Sequence, residues 1–181
     1  MNRDAQLMAR VAEGDVEAFG GLVRRHQDTA WRIAHRFLGD SAEAEDMVQE
    51  AFLRIWAAAP RYRPTAAFTS YLYRVLVSLC IDNTRKKRPT PVENIVVADT
   101  ASPGPAATLI RQEREVLIRQ TMNALPARQR MVVILKYYEG LSYDEMALAL
   151  ATTAKAVERL LGRARKTLKS QLSDDYGLKK I

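Results

Sequence analysis

The sequence predicts an all-α protein made of two small helical domains joined by a flexible, proline-rich linker. Three observations carry that expectation. Apolar residues recur at helical spacing nearly throughout, and the period-2 alternation of a half-buried strand is missing. Four of the seven prolines fall in residues 89–106, PTPVENIVVADTASPGPA, where no periodicity survives. Charge also divides around that stretch. Residues 1–90 hold 14 Lys/Arg against 11 Asp/Glu, residues 91–110 hold none against 2, and residues 111–181 hold 14 against 8. The expected divisions are a first domain over 1–90, a linker over 91–106, a second domain over 107–172 and a tail over 173–181. Within the linker, IVVA reads equally as a small strand or a sticky contact.

The elements follow in order. An opening helix is expected over 4–12, with a break at Gly14. Asp15 can cap the next helix, whose apolar face is Phe19, Leu22, Val23, Ala30, Ile33 and Phe37, and Gly39 ends it. Asp40 or Ser41 caps a third helix, and Asp40 with Glu43 has capping-box spacing. It carries Met47, Val48, Ala51, Phe52, Ile55 and Trp56 before Pro60 stops it. After the loop PRYRPT a helix is expected over 66–88, burying Phe68, Leu72, Val75, Leu76 and Leu79 and finishing in RKKR, where cations suit a helix C-terminus. Beyond the linker, helices are expected near 107–123, 127–138, 142–150 and 154–170, with Pro126 starting the second.

Composition narrows the function. A formal charge of +7 and a pI near 9.7 favour a polyanionic partner, either nucleic acid or an anionic membrane surface. Cys80 is the single cysteine and lies on an apolar stretch, so it reads as a buried small hydrophobe in a reducing compartment. The opening MNRDAQLMARVAEGD lacks an apolar signal core, and no run approaches the ~18 residues of a membrane span. The expectation is a cytoplasmic protein without membrane insertion. No P-loop, zinc cluster or nucleophilic triad is found, and His26 and His35 have no cysteine nearby. Neither catalytic residues, nor a metal site, nor a cofactor is therefore expected.

Three motifs remain. In GLSYDEMALALATTAKAVERLLGRARKTL, residues 140–168, Ser142 and Glu145 form a capping box, and Met146, Ala147 and Leu150 give the short helix an apolar side. Val157, Leu160, Leu161, Ala164 and Leu168 stripe the following helix. Lys155, Arg159, Arg163, Arg165, Lys166 and Lys169 lie outside, opposed by Glu158. The layout suits a helix-turn-helix that reads the major groove, and equally a solvated amphipathic helix. Ala151 stands where such a turn usually places glycine, so the turn is read as one that need not use a left-handed glycine.

The second motif is SAEAEDMVQEAFLRIW, 41–56. Five carboxylates and no cation fall between Asp40 and Leu53, with Asp46, Gln49 and Glu50 on one face. A docking face for a basic protein fits better than a pair of glycosidase carboxylates, since no sugar-binding aromatic cleft is evident. The third is FTSYLYRVLVSLCIDNTRKKR, 68–88. Tyr71, Arg74, Ser78 and Asp82 share a face suited to unpaired bases and a strand backbone, or to an ordinary half-exposed helix.

Taken in order, these motifs resemble the extracytoplasmic-function sigma factors of bacterial RNA polymerase, of the sigma-70 superfamily, over residues 5–170. Each motif alone is weak; the ordered set is specific. The resemblance implies a region 2 domain at about 4–90 and a region 4 domain at about 107–172. It implies that Asp46, Gln49 and Glu50, with Trp56 nearby, dock on the β′ clamp helices of core polymerase, whose β flap is a second partner. Tyr62, Arg63, Pro64, Thr65, Tyr71, Arg74 and Ser78 would capture the melted non-template strand of the −10 element. Lys155, Glu158, Arg159, Gly162, Arg163 and Arg165 would read the −35 duplex. An anti-sigma factor is the further partner that the resemblance implies.

The chain departs from the family pattern at four places. The family usually has Trp where Tyr71 stands, often Asn where Ser78 stands, a cation at Glu158 and glycine at Ala151. Glu158 cannot hold a phosphate but can accept from cytosine N4. These differences bear on promoter sequence, not on class. A stand-alone helix-turn-helix regulator would leave the acidic face and the Tyr71 helix unused, and an enzyme acting on nucleic acid would lack its metal or general-base cluster.

Overall fold

The computed structural model describes residues 3–63, 66–86 and 117–175, and all regular structure among them is helical. The expected linker, its IVVA segment, Pro64, Thr65 and the tail beyond residue 175 lie outside the described residues.

The first helical group begins with α1 (Arg3–Ala12), which ends at Gly14 with φ 87°. α2 (Val16–Leu38) starts where the Asp15 carboxylate accepts from the Ala18 amide at 2.9 Å, and it stops where Gly39 turns left-handed at φ 78°. Asp40 caps α3 (Ser41–Ala58) by accepting from the Glu43 amide at 2.8 Å. Pro60 converts the end of α3 into a 3-10 turn, Ala59–Arg61. α4 (Phe68–Lys86) starts two residues later than expected. The core of this group is Met8, Leu22, Ile33, Phe37, Val48, Ile55, Leu72 and Leu76. Asp4 pins α1 to α2 by accepting from Arg25 at 2.9 Å and sharing a 3.0 Å hydrogen bond with His26.

The second group holds α5 (117–123), α6 (Ala127–Tyr137), α7 (Tyr143–Ala149) and α8 (Ala154–Asp175). Both halves of the Ser142/Glu145 capping box form. The two residues fix the start of α7, whose buried Met146, Ala147 and Ala149 join Val157 and Leu161 of α8 in the core. Thr153 caps α8 by accepting from the Ala156 amide at 3.2 Å, and the helix runs past its expected end at 170.

One expectation is corrected and another is sharpened. Val75 is only partly buried while Val77 is 2% exposed, because the second group covers another flank of α4. Ala151 does adopt the left-handed conformation, at φ 48°, although it is not glycine.

The two groups pack together along a seam: α7 crosses α4, and α6 meets α2. Arg36 donates to Glu139 at 3.0 Å and lies 4.7 Å over the Tyr138 ring. Arg130 lies 4.4 Å over the Phe37 ring and donates to Asn123 at 2.8 Å. Cys80 is fully buried on α4, and burial pushes its thiol pKa up to about 12.

Candidate functional site

Three surfaces carry the residues singled out by sequence. The first is on α3. Helical spacing sets Asp46, Gln49 and Glu50 on one side; Asp46 and Gln49 are exposed, and Glu50 pairs with Arg54 one turn on at 2.7 Å. Asp46 and Glu50 line an open cavity toward α4 with Met47, Leu79, Asp82 and Asn83. Trp56 does not share this exposure. Its ring centroid is 5.0 Å from that of Phe19 on α2, so it packs across the helix pair. A residue the sequence reading passed over stands at the centre of the face: Leu53, 53% exposed, follows Asp46 by seven residues, Gln49 by four and Glu50 by three. Leu53 and Gln49 also edge an apolar groove between α2 and α3, lined by Phe19, Val23, Trp31 and Phe52. The signal was present, since an isolated leucine on a carboxylate face is out of pattern.

The second surface surrounds the start of α4. Tyr62 and Tyr71 meet with ring centroids 4.9 Å apart at 41°, and burial raises the pKa of both phenols. With Arg61, Arg63 and Arg74 they line a cavity of about 290 Å³. The structure thus gathers Tyr62, Arg63, Tyr71 and Arg74, and adds Arg61. Ser78 is not among the lining residues; it is exposed two turns along α4 and donates to Asp82 at 3.4 Å. Leu148, from α7 on the other helical group, forms part of the cavity wall. No local pattern could have placed it there, more than 70 residues away in sequence.

The third surface is α8. Lys155, Glu158, Arg159, Gly162 and Arg163 are all exposed. A Cβ added at Gly162 would meet nothing within 4 Å, so the helix presents a bare strip there. Arg165 lies on the flank, where its Nε donates to the Tyr137 phenol at 3.0 Å; that bond raises the guanidinium pKa further, with Tyr143 adding to it. Among the described residues no group of three His, Cys, Asp or Glu side chains is placed to hold a metal ion, and no helix is long and apolar enough to cross a membrane.

An acidic face, a cationic aromatic cavity and a basic helix on two helical groups are what a promoter-recognition subunit of bacterial RNA polymerase needs, and the comparisons show that class. The family model for Sigma-70 region 2 matches residues 22–90, and that for Sigma-70 region 4 matches residues 115–168. The RNA polymerase sigma-H factor of Pseudomonas aeruginosa is 30% identical over 94% of each chain. The ECF RNA polymerase sigma factor SigW of Bacillus subtilis is 32% identical over 91% of this chain and 94% of its own. Among solved structures, CnrH in complex with the cytosolic domain of CnrY is 29% identical, with a TM-score of 0.72 over 96% of this chain and 99% of that one. RpoE of Bartonella quintana, solved with the anti-sigma factor NepR, shares the fold at a TM-score of 0.67 and 19% identity over 90% of this chain and 98% of its own. The chain belongs to the extracytoplasmic-function group of the sigma-70 family. As such it is a transcription initiation factor, directing RNA polymerase to promoters, and not an enzyme.

Proposed function

We propose that this sigma factor binds core polymerase through the α3 face of Asp46, Gln49, Leu53 and Glu50, with the β′ clamp helices as partner and the β flap meeting the second group. The Tyr62–Tyr71 cavity then holds unpaired bases of the −10 non-template strand, and α8 reads the −35 duplex. The observation that carries this reading is the tyrosine pair among three arginines. Base stacking on an aromatic ring is worth about 1–3 kcal/mol per base, and the arginines supply charge for the strand backbone.

Glu158, Arg159 and Arg163 lie on the part of α8 that a helix-turn-helix presents to base edges. Ser78 extends the proposed strand path along α4, and the family resemblance assigns Pro64 and Thr65 to the same strand. Trp56 contributes by packing behind the polymerase face. An anti-sigma factor holds the chain inactive, a reading supported by the likeness to CnrH, which was solved with a partner protein. A chain that acts at chromosomal promoters works in the cytoplasm, which is the compartment this reading implies.

Run-off transcription with core polymerase over a promoter library tests this. The wild-type chain gives defined start sites, and the Asp46→Lys/Glu50→Lys double variant loses core binding. An absence of specific starts, or unchanged core binding by the double variant, overturns the reading.

A further inference from the structure

Arg165 is held in an unusual way for an exposed cation. Among the described residues no carboxylate pairs with it. Its Nε instead donates to the Tyr137 phenol at the end of α6 at 3.0 Å. Lys136 joins the cluster, its Nζ 5.3 Å from the Tyr143 ring centroid and 3.3 Å from the Leu141 carbonyl oxygen that accepts from it. Tyr137 of α6 thus holds the α8 guanidinium, beside the Lys136–Tyr143 contact that links α6 to α7.

The chemistry of the holders matters. A carboxylate would fix the side chain and cancel its charge. A neutral phenol on Nε fixes the plane of the fork and leaves the charge intact, with the terminal N–H groups available for a bidentate acceptor. Tyr137 is 58% exposed, so its phenol contributes little to the core and much to orientation. One turn before Arg165 stands Gly162, where a side chain would project into open space. A bulky, anionic, tetrahedral group can approach the helix there without obstruction. Glu158 lies on the same flank two turns from Arg165, so repulsion confines an anion to the Arg165 end.

We infer that Tyr137 and Arg165 form a clamp for one DNA backbone phosphate, with Tyr137 as a positioning residue for the Arg165 guanidinium. The inference rests on the reading of α8 as the −35 helix and deepens it: the clamp sets the register in which Glu158, Arg159 and Arg163 meet base edges.

The test uses the full chain binding duplex DNA at low salt, with −35 and scrambled sequences, and compares Tyr137→Phe, Arg165→Ala and the double variant. Arg165→Ala lowers affinity about tenfold on both duplexes and reduces the salt slope by roughly one. Tyr137→Phe loses part of that affinity on both duplexes, adds no further loss in the Arg165→Ala background, and leaves the thermal midpoint unchanged. No loss with Tyr137→Phe, a loss confined to the −35 sequence, or an equal loss in both backgrounds overturns the clamp. Run-off transcription by the wild-type chain separates the two levels: starts without a clamp signature sink only the clamp, and a missing start sinks the promoter-reading role itself.

Discussion

Ala151 carries a side chain into a backbone region that glycine ordinarily occupies. The α7 C-terminus ends in a Schellman arrangement, with the Thr152 amide donating to the Ala147 carbonyl at 2.9 Å and the Ala151 amide to Leu148 at 3.3 Å. That pair of bonds requires φ > 0 at the residue between, and Ala151 complies at 48°. The left-handed region costs an L-residue roughly 1–2 kcal/mol, part of which glycine returns as chain entropy. Ala151→Gly is therefore expected to stabilise the chain by about 0.5–1 kcal/mol in urea unfolding; a lower midpoint would show that the turn is not strained. The missing glycine was visible in the sequence, but what the turn demands was not. The two hydrogen bonds that close α7 set the conformation, and they are seen only in the folded chain.

At the scale of the element, α3 and α4 show where periodicity informs and where it stops. The buried stripe of α3 follows from spacing, and so does its carboxylate face. Leu53 escaped because a polar face is recognised by its charges, and the apolar residue among them reads as noise. Leu53→Asp is expected to weaken core-polymerase binding about tenfold with little change in thermal midpoint, because a half-exposed leucine at the centre of a protein interface is a candidate energetic anchor. Binding unchanged by this substitution would confine the interface to the carboxylates. On α4 the expected stripe accounts for Phe68, Leu72, Leu76 and Leu79. It misses Val77, and it leaves half-buried Tyr73 unassigned. Burial raises the Tyr73 pKa, with Glu139 adding to the effect across the seam. A single helix's period describes one neighbour; α4 has neighbours on two flanks.

At the scale of the molecule, the two groups were legible as separate helical units and their mutual packing was not. Nothing local joins Arg36 to Glu139, 103 residues away, yet the glutamate side chain is only 8% exposed in that pair. The same packing brings Leu148 to the wall of the Tyr62–Tyr71 cavity, so α7 borders the path of the proposed −10 strand. Glu139→Arg is expected to enlarge the radius of gyration in small-angle scattering and to raise affinity for a single-stranded −10 oligonucleotide. Adding Arg36→Glu should reverse both changes; a compact Glu139→Arg chain would show that the apolar contacts alone hold the seam.

Cys80 has a consequence of another kind. Oxidants and electrophiles react with thiolates, and a thiol sealed inside α4 with a pKa of about 12 presents almost none at neutral pH. It is the single sulfhydryl in these 181 residues. An oxidant or electrophile that acts on thiolates therefore finds almost nothing to react with at this sulfur.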